Sequence, residues 1–286
     1  MQASKGPTDN TIPIVLCIII LATVLAPVLR AGYYTDDNYN SLVYEVVHSK
    51  FHGSLGEIIY SYSYGWMLWG RLYPIGVAIS YIEWYYLGWD VIYIKLLNIA
   101  VVILSGVAAY QLVHRLTSCI STSLLTLLLL SLTIQTRIHF DPITSYPLLV
   151  TFVLLMTLWQ AIAFDIFCGS KNRSALVGSA AMHAIILLTY EVAIIAILLN
   201  IAVLLRHHFS FKKGLRFLSS HFCITIVYFS IVIALRLIAT ETYKGIALGS
   251  WSAIPMSFLI NFYGGSRNFI EGPEDRHDVV TKAQAI

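Results

Sequence analysis

The sequence predicts an all-α, polytopic helical membrane protein with about seven transmembrane helices. Three observations carry that prediction. Hydrophobic residues make up 58% of the 286-residue chain and charged residues only 12%, where soluble domains run to about 25% charged. The mean hydropathy is +0.75. Several apolar runs are long enough to cross about 30 Å of hydrocarbon. A net charge of +3 carries no signature of nucleic-acid binding, and none is expected. Cys17, Cys119, Cys168 and Cys223 lie in or beside apolar runs without metal-ligand spacing, so a zinc site or disulfide framework is not expected.

Taken in order, the polar start "MQASKGPTDNT" leads into an apolar run at 12–30. This run is longer than a signal-peptide core and lacks a small-x-small cleavage site, so it reads as a retained anchor. Residues 31–73 form a long first outer loop. Within it Tyr39, Leu42, Val43, Val46 and Val47 recur at helical spacing, which predicts an amphipathic helix lying in the interface. Ser54-Leu55-Gly56-Glu57 matches a capping box and predicts a second short helix. The stretch 74–88 begins at Pro74 and holds Glu83. At ~22 Å it is short for a crossing and reads as juxtamembrane or re-entrant.

Further spans are predicted at 91–114, 119–135, 147–167, 174–190, 191–206 and 217–238. The run 175–205 would be ~46 Å long as one helix, too long for a single crossing without strong tilt. As two spans it needs a reversal near Thr189-Tyr190-Glu191, where no glycine or proline stands. Basic residues arbitrate, because they concentrate on the cytoplasmic side. With a cytoplasmic N-terminus and two spans, Arg115, Lys171, Arg173, Arg206, Lys212, Lys213 and Arg216 all fall inside. The sequon Asn172-Arg173-Ser174 then also lies inside and is expected to stay unglycosylated. Lys95, Asp165 and Arg236 stand toward span ends and read as snorkelling charges. His48, His52, His207 and His208 read as solvated or interfacial, and His139 as a polar loop residue.

That topology sorts the acids: Asp36, Asp37, Asp141, Glu191 and Glu241 all fall at the outer face. Acids at membrane depth mark a pathway or a site, so one external polar site built from several loops is expected. For Asp36 and Asp37 one role is an N-cap for the helix that begins at about Asn38. Two adjacent carboxylates resist joint ionisation, however, and suit a general base or a divalent-cation ligand. The favoured assignment is Asp37 as cap and Asp36 as base, with the reverse close behind it. Arg71 either snorkels to headgroups or pairs bidentately with a phosphate. Tyr33, Tyr34, Tyr60, Tyr62, Tyr64, Trp66 and Trp69 supply an interfacial aromatic belt or sugar-stacking platforms.

"YYTDDNYN" after the first span, followed by "GRLYPIGVAISYIEWYYLGWDVIYIKLLNIAVVILSGVAAYQLVHRL", resembles the GT-C superfamily of polyprenyl-phosphate-sugar-dependent glycosyltransferases. The likeness is to its bacterial O-antigen glucosyltransferase-like membrane proteins. "HFDPITSY", "LLTYEV" and "TYKGIALGS" look like later landmarks of that branch, so the resemblance spans about residues 12 to 262. It implies a lipid-linked sugar donor, a glycan or glycolipid acceptor, and transfer at the extracytoplasmic face of a bacterial inner membrane.

By position, the resemblance makes Asp36 or Asp37 the catalytic base, with magnesium or manganese as the divalent cation where one is used. It places Arg71 and Tyr73 of the "G-R-x-Y-P" segment at the lipid phosphate, helped by Arg137 or Lys244. Asp141 and Glu191 would line the same cavity. A single GT-C-like domain is expected over 1–262, with the site on the outer loop 31–90 and a polar tail at 263–286. Members of the family are usually longer, so a short member, or one completed by a partner membrane subunit, is expected. A lipid-linked-sugar flippase or a non-catalytic subunit are the alternatives.

Overall fold

The computed structural model describes residues 11–30, 40–133, 148–190, 196–209 and 211–239. The chain divides into Met1–Glu241 and Thr242–Ile286, and every described residue belongs to the first unit. Among the described residues the regular structure is entirely helical. Helix α1 (Thr11–Leu25) continues into a 3-10 turn (Ala26–Arg30). Three helices follow, α2 (Val43–Lys50), α3 (Leu55–Leu68) and α4 (Pro74–Leu87). The apolar series then runs α5 (Val91–Thr117), α6 (Ile120–Thr133), α7 (Leu149–Ser170), α8 (Arg173–Thr189), α9 (Ala196–Arg206) and α10 (Phe211–Ile238).

Among the described residues, four stretches are long and apolar enough to cross a membrane: Ile12–Leu29, α5, α7 and α10. Helices α6, α8 and α9 are apolar but shorter. Local chemistry sets several boundaries. Ser54 accepts a hydrogen bond from the Glu57 amide at 3.2 Å, half of the expected capping box. Asp90 caps α5 by accepting from the Ile92 amide at 3.0 Å. Asn172 caps α8 by accepting from Ser174 N at 3.0 Å, so the sequon asparagine serves as a helix cap. Helix α2 starts at Val43, and its cap position is Leu42, which makes no side-chain capping bond. The expected cap role of Asp36 or Asp37 lies outside the described residues.

Helix α5 is the hub, packing against α1, α6 and α7. Gly106 lets α1 come close, since a Cβ there would run into the Leu21 side chain. Around that contact Cys17, Leu21, Leu25, Val102, Tyr110 and Leu127 form one buried cluster. A second core joins α5, α7, α9 and α10 through Ala108, Leu158, Phe164, Val203 and Leu218. A satellite core ties the short helices to the start of α5 through Val43, Val47, Ile58, Trp84 and Ile94. Val43 and Val47 are the buried side of the expected amphipathic helix, while Leu42 is 48% exposed.

The run 175–205 is two helices. Only Lys171 and Asn172 separate α7 from α8, and at the end of α9 Arg206 and the following His207 bond to Asp165 near that same end of α7. One helix leads away from this end of the bundle and the next returns to it. Asp165 is buried and receives Arg115 Nε at 3.0 Å, Arg206 Nη1 at 3.0 Å and His207 Nε2 at 2.9 Å.

This geometry corrects three expectations. Asp165 and Lys95 do not snorkel: they are 4% and 1% exposed. His207, expected to be solvated or interfacial, is partly buried and ties the end of α9 to α7. For Asp165 and His207 the reason is the same. A carboxylate leaving water is stable only with partners around it, and three donors from two helices satisfy it better than a stretch toward the surface.

Candidate functional site

At the opposite end of the bundle, α3 gives way to the segment Gly70-Arg71-Leu72-Tyr73. Gly70 has φ +78°, the left-handed region where glycine is least strained. Its amide donates to Met67 O at 2.9 Å, and the Arg71 amide donates to Trp66 O at 2.9 Å, which closes α3. Pro74 then opens α4 at a position where its missing N–H costs nothing.

Two helices from far along the chain fasten this segment. Tyr228 of α10 donates its hydroxyl to Leu72 O at 2.9 Å. Arg236 Nε donates to Gly70 O at 3.4 Å, and its Cγ would meet a Cβ at Gly70 at 2.6 Å. The end of α8 presses equally close, since a Cβ at Gly76 would collide with the Thr189 carbonyl. Loop 70–73 is therefore set by the tertiary fold, although its turn is local.

Arg71 is 9% exposed, which rules out the snorkelling role. Its guanidinium carbon lies 4.4 Å from the ring centre of Tyr73, 5.3 Å from Trp66 and 5.9 Å from Tyr190. Trp66 and Tyr73 also touch each other, with centres 5.2 Å apart. Rings of this kind attract a cation through their electron-rich faces, more strongly when water is excluded. A guanidinium presents a planar array of N–H donors, the geometry that matches phosphate or carboxylate oxygens. Nearby, Tyr62 and Tyr81 pack with centres 4.8 Å apart. Burial, with Tyr62 beside it, raises the Tyr81 phenol above its usual range, so it remains a neutral hydrogen-bonding group.

Of the predicted site residues, Arg71 and Tyr73 are thus brought together. Tyr190, the last described residue before the break at 191, stands beside them. Asp36, Asp37, Arg137, Asp141, Glu191 and Lys244 lie outside the described residues.

The sequence reading missed a second polar constellation, inside the bundle. His183 of α8 and His221 of α10 are both fully buried, with ring centres 5.3 Å apart. His183 Nε2 pairs with Thr225 Oγ1 at 2.8 Å, and His221 Nε2 with Ser179 Oγ at 3.0 Å. Gln160 of α7 donates to Ser179 Oγ at 3.1 Å. The available signal was the spacing: Ser179 and His183, like His221 and Thr225, are four apart and share a helix face. Near the top of α7, Thr151 donates to Asn98 Oδ1 at 2.8 Å, pinning α7 to α5.

No family model, curated protein or solved structure matches this chain.

Proposed function

We propose that the chain is a membrane-embedded glycosyltransferase of GT-C type. It would move a sugar from a polyprenyl phosphate to a glycan or glycolipid at the extracytoplasmic face of a bacterial inner membrane. The observation that carries this reading is the buried Arg71, gathered among Trp66, Tyr73 and Tyr190 at the end of the bundle away from the basic cluster. In this reading the seven apolar helices all span the bilayer, and the short helices α2–α4 form the floor of the site.

The reaction would be an inverting displacement. Asp36 or Asp37 takes the proton of the acceptor hydroxyl as its oxygen attacks the anomeric carbon. The bond from that carbon to the phosphate oxygen breaks, and the phosphate leaves with the electron pair. Arg71 neutralises the charge that develops there, and a preorganised cation in a water-poor site is effective for this. Tyr73 and Trp66 hold the guanidinium in place.

Mass spectrometry of cell-envelope glycans tests the reading. Cells with the chain should carry a modification that cells without it lack. Arg71→Ala and the double variant Asp36→Asn/Asp37→Asn should abolish it, by about a hundredfold or more for the arginine. A wild-type level of modification in Arg71→Ala would falsify the assignment.

A second reading, a flippase for a lipid-linked sugar, is favoured by one observation. The Gln160–Ser179–His221–His183–Thr225 chain buries polar groups within apolar helices, where such groups often mark a pathway. Loss of lipid-linked-sugar translocation in reconstituted vesicles, without loss of transferase chemistry, would favour this reading over the first.

A further inference from the structure

The basic end of the bundle holds a feature that neither reading uses. Segments 113–119, 165–174 and 204–217 contain seven arginines and lysines and a single acid, Asp165. Arg115 and Arg206 are spent on that acid. Lys171, Arg173, Lys212, Lys213 and Arg216 are exposed.

Their arrangement opposes the local fields. Helix α8 opens with Arg173 and α10 with Lys212 and Lys213, and neither helix has an acid in its first turn. The positive end of a helix dipole disfavours cations, so both helices begin against their own electrostatics. Lys171 sits at the end of α7 with φ +59°, where glycine would be the least strained residue. From there its ammonium donates to Cys168 O and lies 4.3 Å from the centre of Phe209 and 4.9 Å from that of Phe217. Lys213 approaches the same Phe209 ring, at 5.0 Å. Two ammonium groups therefore converge on one ring, separated by no more than the sum of those two distances. A bridging anion removes their repulsion.

Below this rim α10 offers an exposed apolar stripe at helical spacing, with Leu215 49%, Ile226 63% and Ile233 57% exposed. A cationic rim with an aromatic floor and an apolar stripe leading into the bilayer fits one occupant better than a free ion. We infer that Lys171 and Lys213, over Phe209 and Phe217, bind the phosphate of an anionic phospholipid of the adjacent leaflet. The acyl chains would lie along α10. This site is distinct from the Arg71 end and holds whether or not the chain is a glycosyltransferase.

Native mass spectrometry of the full chain in detergent tests it, with dioleoyl phosphatidylglycerol and dioleoyl phosphatidylcholine as probes. The wild type should retain phosphatidylglycerol in preference. Lys171→Gln/Lys213→Gln should weaken that retention by about thirtyfold, and the exposed Lys213→Gln alone by about fivefold. Lys171→Arg/Lys213→Arg should keep the preference, and Lys50→Gln, on α2, should leave it unchanged. Equal retention of the two lipids, or unaltered phosphatidylglycerol binding in both glutamine variants, would overturn the inference. So would displacement of the lipid by an equal concentration of inorganic phosphate, which would identify a free-anion site instead.

Discussion

Asp165 and Arg71 are buried charges at opposite ends of one bundle, and different chemistry surrounds them. Asp165 is enclosed by Arg115 of α5 and by Arg206 and His207 at the end of α9, each within 3.0 Å. Arg71 is enclosed by aromatic rings, beside backbone carbonyls that α10 holds in place. The first arrangement neutralises its charge within the protein, which suits a clamp. The second sets a guanidinium against ring faces beside an ordered loop, which suits recognition of an anion. The same cost of burying charge is met by opposite partners, and the choice of partner separates a structural end from a candidate working end.

The strongest way to break the comparison is to remove the clamp. Asp165→Ala leaves two guanidiniums and an imidazole facing one another, and removing one member of a buried pair costs about 3–5 kcal/mol. Thermal unfolding in detergent should show that loss, and an unchanged midpoint would mean that Asp165 is not the tie between α5, α7 and α9. A smaller effect is expected at the other end from Gly76→Ala. Its methyl group would press on the Thr189 carbonyl, and overpacking of this kind costs about 1–3 kcal/mol. If Arg71 works as proposed, this variant should lose function out of proportion to stability, because it moves α4 and Tyr73 away from α8.

The finest probe is Tyr228→Phe. It removes only the hydroxyl given to Leu72 O, at about 0.5–1.5 kcal/mol. Limited proteolysis at loop 70–73 should quicken while the unfolding midpoint of the whole chain barely moves. Equal protection in the variant would show that α10 does not order this loop.

Much of the scaffold was legible from residue order. Apolar runs give the long helices because in hydrocarbon the backbone must bond to itself, and that condition depends only on local hydropathy and length. The division of 175–205 was also legible, through the lysines and arginines flanking it. Ser54 announced its helix by cap chemistry, and Val43 and Val47 by spacing. The buried polar pairs were not legible. His183 and His221 lie 38 residues apart in the chain, and nothing in either neighbourhood states that the two faces meet. Asp165 looked like a charge near a span end, and only the return of α9 surrounds it with Arg206 and His207.

What the sequence determined by itself is the helical membrane character, the positions of most helices, and the concentration of basic residues at one end. These follow from transfer energies that act on each segment separately. Tertiary structure alone decided which charges are enclosed and by what. Arg71 could have reached for headgroups in an isolated loop, and it is buried because Tyr190 and α10 arrive beside it from more than a hundred residues away. Burial and partnership depend on which surfaces come together, and that is a property of the packed bundle rather than of any one segment.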